Sequence, residues 1–406
     1  MRVMLISHAC VHPSYMQSKI RPLLEVEKDF HFLLITPSWW IEGSMKVKGK
    51  STTIIHDGKG LCHVLALRTH FTGMQYAHFY PALHRIMRWW RPEIVHVEEE
   101  PMSLSCAHAA TLCKTLLDGS PFIFFTWENI HQQWRVPNLR GLVYPIFERL
   151  SFSHADLAIA GTSMAMRTLR GRGFDKPIVI CPQFGVDIER FSPLPMEGRL
   201  KARSKLGLED DGETLVAGYV GRLIWEKGVD LLIHAVASLP NIKLLIVGDG
   251  EMRQPLQRFV EGLRLSERVK FLGAIPHGSL HEFLNALDVL VLPSRSTPHW
   301  KEQFGRVLVE AMACGTPVIG SSCGAIPEVV GDAGLIFREG DVEELRSSLK
   351  LMMDKDLRME FSMRGRIRAV ECFSERGVAL STLSAYEMAL SQRRQRSLAP
   401  FSALKH

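Results

Sequence analysis

Glu302 and Glu310 stand eight positions apart in the run Lys301-Glu302-Gln303-Phe304-Gly305-Arg306-Val307-Leu308-Val309-Glu310-Ala311-Met312-Ala313-Cys314-Gly315-Thr316-Pro317-Val318-Ile319. Gly305 follows the first carboxylate, and an apolar, helix-like run carries the second. Eight residues of helix rise ~12 Å, whereas paired glycosidase carboxylates lie roughly 5–9.5 Å apart. The spacing argues against two carboxylates sharing one proton. It fits two handles on one long polar ligand, with a helix N-terminus between them. That N-terminus offers free amides and the positive end of a dipole, which suits a phosphate in the middle of the ligand. Sugar, diphosphate and ribose is the simplest ligand with that order. The plain alternatives are a helix-start carboxylate for Glu302 and a solvated helix face for Glu310.

A second group lies upstream. In Tyr219-Val220-Gly221-Arg222-Leu223-Ile224-Trp225-Glu226-Lys227-Gly228, an apolar strand ends at Gly221, and Arg222 and Lys227 flank a short loop. Arg grips phosphate as a fork and Lys as a point charge, so both suit a diphosphate. The plain alternative pairs Arg222 with Glu226 on a solvated loop. Val247-Gly248-Asp249-Gly250 is a second strand-to-turn passage where backbone can approach a ligand at Gly248 and Gly250, although any tight turn favours glycine. Ile275 follows a third strand, where backbone amide and carbonyl groups can meet a base.

The elements that hold these residues alternate between strand and helix. Apolar runs at Val3–Ser7, His31–Thr36, Leu61–Leu67, Ile94–Val97, Phe122–Thr126, Leu157–Ala160 and Ile178–Cys181 form one series. Leu215–Val220, Lys243–Val247, Val269–Leu272, Val289–Leu292, Val318–Gly320 and Gly334–Phe337 form another. Continuous apolar runs separated by helices predict α/β units with parallel sheets buried on both faces. A chain of 406 residues exceeds one core. The proline-bearing Phe191-Ser192-Pro193-Leu194-Pro195 predicts the break, giving Rossmann-like domains over 1–192 and 193–375, with ligand at the carboxyl ends of the strands in the crevice. A helix over about 376–406 is expected to complete the first domain.

Composition narrows the class. Apolar content of 46% and charged content of 23% are ordinary for a globular protein. No apolar run approaches ~20 residues, so no transmembrane helix is expected, and the start reads as a strand rather than a signal segment. Cysteines at eight positions show no metal-site spacing and read as reduced thiols of a cytoplasmic protein. Residues 1–200 hold 22 Lys+Arg against 17 Asp+Glu (net +5), and residues 201–406 hold 27 against 26 (net +1). A mildly basic first half suits an anionic acceptor or membrane surface. A nucleic-acid partner is not expected, since no dense basic stripe is present. The basic, Trp-bearing segment Pro81–Pro92 is a helix suited either to packing on the sheet or to a peripheral contact with an anionic membrane.

Gly221-Arg222…Glu226-Lys227-Gly228, Val247-Gly248-Asp249-Gly250, Val291-Leu292-Pro293-Ser294, Glu302-Gln303-Phe304-Gly305…Glu310-Ala311-Met312-Ala313-Cys314-Gly315-Thr316-Pro317-Val318 and Gly324-Ala325-Ile326-Pro327-Glu328-Val329-Val330 occur in this order. Together they resemble the family 4 glycosyltransferases, retaining enzymes of the GT-B fold, most closely over about 215–375. The resemblance implies transfer of a hexose from a UDP- or GDP-sugar to a hydroxyl of a carbohydrate or lipid-linked acceptor, in polysaccharide, glycolipid or other glycoconjugate synthesis. The first domain would bind acceptor and the second the nucleotide sugar. Arg222 and Lys227 would hold the diphosphate and offset charge on the leaving group, so that no metal and no cofactor are needed. Glu302 would contact donor-sugar hydroxyls, the backbone at Phe304, Gly305 and Arg306 the phosphates, and Glu310 the ribose, with Gln303 and Val307 also on the donor-binding segment.

Departures from the family fall in the first half. Position 184 is Phe where the family usually has Asn. Trp127 stands where the family commonly carries a His after the Phe122–Thr126 strand. Glu128, Asn129 or His131 would then take over its polar role, with Glu128 and His131 the catalytic candidates, and Trp127 is placed to stack on a sugar. Ser7-His8-Ala9-Cys10-Val11-His12 replaces a glycine-rich loop, making His8 and His12 candidates on the acceptor side. Two other readings stay open: an epimerase or phosphorylase of the same fold, and a non-catalytic sugar-nucleotide-binding subunit.

Overall fold

The structure is a computed structural model describing residues 1–27, 29–42, 45–56, 60–130, 139–208 and 212–402. It divides into two compact α/β units, one formed by residues 1–185 with the chain from 375 onward, the other by Val186–Ser374.

The first unit holds β1 (Arg2–Ile6), β2 (His31–Pro37), β3 (Trp39–Glu42), β4 (Met45–Lys48), β5 (Thr52–His56), β6 (Gly60–Leu67), β7 (Ile94–Val97), β8 (Phe122–Thr126), β9 (Leu157–Ala160) and β10 (Ile178–Ile180). Its main sheet runs β10-β9-β8-β7-β1-β2-β6-β5, and β3 pairs with β4 alone. All neighbours in the main sheet are parallel except β5 and β6. In β1, Val3, Met4, Leu5 and Ile6 are fully buried. Alternation sends Val3 and Leu5 into a core with Leu23, Leu24 and Tyr386, and Met4 and Ile6 into one with Tyr80, Phe122 and Phe174. Both faces are therefore apolar, and polar chemistry is confined to the strand ends. The register puts β7 on one side of β1 and β2 on the other, so the carboxyl end of β1 lies at a switch in strand order.

The second unit holds β11 (Leu215–Val220), β12 (Ile242–Val247), β13 (Val269–Gly273), β14 (Val289–Leu292), β15 (Val318–Ser321) and β16 (Gly334–Phe337), in the order β13-β12-β11-β14-β15-β16. Every pair is parallel. Here β11 lies at the switch, between β12 and β14. Its exit turn packs directly on the exit of β12: a Cβ at Gly248 (φ 134°) would fall 1.8 Å from the Gly221 carbonyl oxygen, so only glycine lets the two turns touch.

Every apolar run expected as a strand forms one. The strands without a sequence signal are β3, β4 and β5, which are short or lie at a sheet edge; Thr52 and Thr53 of β5 are exposed, so no apolar run marks it. All eight cysteines are free thiols, and only Cys372 is exposed.

Helix Glu375–Ser402 packs on helix Pro13–Val26 of the first unit. Val378, Leu383, Tyr386 and Ala389 enter the core, and the Tyr386 hydroxyl shares a 2.9 Å hydrogen bond with His96 Nδ1. Near its end, the Arg393 guanidinium meets Asp156 at 2.8 Å. Tyr386→Ala is expected to destabilise the first unit by about 3–5 kcal/mol through the cavity it leaves. Tyr386→Phe, which keeps the ring and loses the hydrogen bond, should cost about 1 kcal/mol. Urea unfolding of both variants checks the ranking.

Candidate active site

In the second unit, the turn after β11 and the segment after β14 converge. Lys227, in the short 3-10 turn Trp225–Lys227, places Nζ 2.6 Å from Glu302 Oε2. Arg295 fixes the approach: its guanidinium forks onto Asp230 at 2.8 and 3.1 Å and lies 3.7 Å from the centroid of Trp225, while its N–H donates to the Glu226 carbonyl. Glu302 is buried (7% exposed) and accepts a second hydrogen bond from the Ser294 hydroxyl at 3.0 Å. The Trp300 ring lies 5.0 Å from Lys227 Nζ, within cation–π range. The Glu302 main chain is held by Ala325 N–H at 3.0 Å. A Cβ at Gly324 (φ 59°) would sit 2.1 Å from the Glu302 carbonyl oxygen, so this contact requires the glycine.

Glu302 thus lies before helix Arg306–Ala313, and Glu310 on its second turn. The helix begins at Gly305, without a side-chain cap and without an acidic residue in its first turn. That leaves its dipole end uncompensated for an anion. Glu310 is also buried (3% exposed), with Oε1 3.1 Å from His277 Nε2 and 3.0 Å from Arg306 Nε. Arg222 and Gln303 are exposed; Phe304 is half-buried edge-on against Phe373, and Val307 packs on the core. The Tyr219 hydroxyl donates to the Arg222 carbonyl at 2.8 Å and anchors that turn. Gly221, Gly248, Gly250 and Ile275 all lie at or just beyond the carboxyl ends of β11, β12 and β13. Ser294, Trp300 and His277 also line this cluster: Ser294 ends the Val291–Ser294 motif, whereas a loop tryptophan and a histidine outside any apolar run carry no local signal.

The first unit carries its polar groups at the carboxyl ends of β1, β7 and β8. Glu98, Glu99 and Glu100 follow β7 directly and are all buried. Glu98 meets the buried Lys19 at 2.6 Å. Lys19 also donates to the Gln183 carbonyl at 3.0 Å. The Gln183 amide donates to Glu98 at 3.3 Å and accepts from the Trp127 indole N–H at 3.0 Å. The Trp127 ring also lies edge-on to Phe125 and covers Gly161, where a Cβ would come within 2.1 Å of it. Trp127 is therefore gripped by protein on several sides.

His8 pairs with Glu99 through Nδ1 at 2.6 Å and through its own N–H at 2.9 Å. Burial opposes a charged His8 ring, but Glu99, together with Glu98 and Glu100, outweighs it and holds the pKa above the ordinary value. Burial likewise pushes the Glu99 carboxyl up, yet His8 and His78 bring it down to about 2. Glu100 accepts from the Thr126 hydroxyl and from Trp127 N–H. Burial, then the charge of Glu128, pushes Glu100 up to about 8. Glu128 and Asn129 are buried; Glu128 accepts from Ile130 N–H at 2.9 Å, and burial raises its pKa. His12 stands apart at the start of helix Pro13–Val26, bonded to Ser14 at 3.0 Å. His131 lies outside the described residues. The three successive glutamates at a strand end were the visible signal for this cluster, while Lys19, His78 and Gln183 gave none.

A family model described as glycosyl transferases group 1 matches residues 201–368, and one described as a glycosyl transferase 4-like domain matches residues 57–182. The GDP-mannose-dependent monoacylated alpha-(1-6)-phosphatidylinositol monomannoside mannosyltransferase of Corynebacterium glutamicum is 37% identical over 181 residues, 43% of this chain and 46% of that protein. The D-inositol 3-phosphate glycosyltransferase of Corynebacterium jeikeium is 34% identical over 231 residues, 53% of each chain. The chain thus spans about half the length of these curated relatives. Among solved structures, sucrose-phosphate synthase from Thermosynechococcus elongatus superposes with a TM-score of 0.71 at 20% identity, over 97% of this chain and 100% of that one. HepE from Anabaena, in complex with UDP, gives 0.70 at 18% identity, over 96% and 100%. These likenesses show a shared fold.

The buried Glu128 yields a pH dependence. Its folded-state pKa lies above its unfolded value, so the folded state holds a proton that the unfolded state has released. Stability therefore falls as pH rises out of the ordinary carboxylate range. Glu128→Gln keeps an oxygen for Ile130 N–H and removes the titration. The variant should gain stability over wild type as pH moves from acid toward neutrality, read from urea midpoints across that range.

Proposed function

Because the chain belongs to the glycosyl transferases group 1 family, the GT-B enzymes of family 4, we propose that it transfers a hexose from a UDP- or GDP-sugar to a hydroxyl acceptor with retention of configuration. The observation that carries this reading is the Lys227–Glu302 contact at 2.6 Å, followed by a helix that starts uncapped and carries the buried Glu310. The donor diphosphate takes the place of Glu302 as the anion facing Lys227, joined by the exposed Arg222. Glu302, released, accepts from donor-sugar hydroxyls, and Glu310 accepts from the ribose. As the sugar–phosphate bond breaks, Lys227 and Arg222 offset the charge growing on the leaving diphosphate, a role a metal ion would otherwise fill. Retention follows from front-side displacement, with the leaving phosphate taking the acceptor proton. The Corynebacterium glutamicum relative is named for GDP-mannose, and the proposal covers UDP- and GDP-sugars alike.

One observation favours a second reading, a donor-binding subunit without transfer. Trp127, at the position of the family His, is tied to Gln183 at 3.0 Å. Donor binding with neither hydrolysis nor transfer across all acceptors would select that reading.

The acceptor side is proposed to work at an anionic membrane surface, on the cytoplasmic face. Helix Leu83–Trp90 buries Leu83 and Met87 and exposes His84, Arg85, Arg88 and Trp89, the last to 75%. Arg91 in left-handed conformation (φ 48°), followed by Pro92, ends it. An apolar face packed on the protein leaves the cations and one indole for headgroups. No helix among the described residues is long and apolar enough to cross a membrane. The mannosyltransferase relative is named for a phosphatidylinositol mannoside acceptor, which agrees with a lipid-linked acceptor.

Lys227→Ala and Glu302→Ala should each lower transfer by about 10²-fold or more with circular dichroism unchanged, in an assay with UDP- and GDP-hexoses. Near-wild-type activity in purified Lys227→Ala would sink the assignment. On vesicles, an arginine near an anionic surface contributes about 1 kcal/mol, so Arg88→Ala should bind roughly five-fold more weakly. Co-sedimentation independent of anionic lipid counts against the membrane contact.

A further inference from the structure

His78 poses a local problem that its surroundings do not solve. It is fully buried, and its Nδ1 lies 3.0 Å from the Gln75 carbonyl oxygen. A carbonyl only accepts, so Nδ1 carries a proton; Nε2 then either carries a second one, making the ring a cation, or presents a lone pair. Nε2 makes no hydrogen bond among the described residues, and it faces Glu99 Oε1 at 3.5 Å. In either case a positive centre, a proton or a metal ion, must stand between Nε2 and the carboxylate, because two bare acceptors buried face to face are costly. Glu99 is just as buried and is approached from its other side by His8 Nδ1 at 2.6 Å.

We propose that His8 Nδ1, His78 Nε2 and a Glu99 oxygen bind one divalent transition-metal ion, with Zn²⁺ best matched to the donor set. Two imidazoles and one carboxylate form a donor set of this class. The ligand atoms lie within 4.8 Å of one another. A tetrahedral ion with bonds of about 2.0–2.1 Å places its ligands roughly 3.4 Å apart. The 3.5 Å separation of His78 Nε2 from Glu99 Oε1 already fits, while His8 Nδ1 lies 2.6 Å from the other oxygen, Oε2, and gives up that hydrogen bond and its proton as it turns onto the ion. The Gln75 carbonyl on His78 Nδ1 is the outer partner that fixes tautomer and ring orientation in metal-binding histidines. Trp40, itself buried, lies 4.9 Å from the His8 ring and 4.8 Å from the His78 ring and shields the site. His8, with 18% of its side chain exposed, borders the solvent side, where a water can fill the fourth position. The ion would tie the exits of β1 and β7 to the segment before Tyr80. It stands apart from the charge-offset role given to Arg222 and Lys227, and it does not rest on the transfer reaction.

The untagged full chain, stripped with a chelator and dialysed, is titrated with Co²⁺ as an optical probe and with Zn²⁺. The expected result is one equivalent of tightly held Zn²⁺ by elemental analysis, visible bands of tetrahedral Co²⁺, and a Tm that rises with Zn²⁺ until the single site fills. His8→Ala, which removes the ligand nearest the surface, and His78→Gln should both lose the Co²⁺ bands and the Zn²⁺-dependent rise. His8→Ala should stay folded by circular dichroism. Absence of Co²⁺ bands in wild type overturns the proposal, as do bands of equal strength in His8→Ala. So does an NMR spectrum showing the His78 ring doubly protonated in the Zn²⁺-treated protein, for then a proton is the missing positive centre.

Discussion

The two main sheets are covered on both faces, and that constraint organises everything else in this molecule. A parallel strand such as β1, with four consecutive side chains fully buried, has no room for a charge along its length. Charged groups must gather where strands end and backbone turns toward a helix. In each unit the strand at the reversal of strand order opens its exit to neighbours on both sides. In the second unit, β11 delivers Lys227 and β14 delivers Glu302; in the first, β1 delivers His8 and β7 delivers Glu99.

The two units handle these buried charges differently. In the second, Lys227 and Glu302 remain 13% and 9% exposed at their side chains and form a pair within reach of solvent. In the first, Lys19 and Glu98 are almost wholly enclosed, at 4% and 0%. A buried pair is tolerated only when its remaining donors and acceptors are met. Gln183 does this, accepting from Lys19 through its carbonyl and donating to Glu98 through its amide. The same glutamine holds the Trp127 indole, so the exits of β7 and β8 and the 182–185 segment form one connected network. Trp127 is thus fixed by the charge balance beneath it.

Much of the fold was readable because parallel strands buried on both faces are continuous apolar runs. The edge pieces β3, β4 and β5 were not, because an edge strand satisfies only half its surface with apolar side chains. The residues proposed to hold the donor are set by local spacing in the same way. Glu302, Gly305 and Glu310 lie in one short segment whose helical rise fixes their separation without reference to the rest of the chain. Lys227 and Arg222 stand on one turn at one strand end.

The sequence by itself determined local distances and the direction in which each strand hands its chain to a loop, since both follow from backbone geometry over a few residues. Only the tertiary structure decided which distant residues share a charge. His8 and Glu99 stand 91 positions apart, and Lys19 meets Gln183 across 164. Such pairings depend on strand order and on what burial leaves unpaired. No local pattern of residues records either.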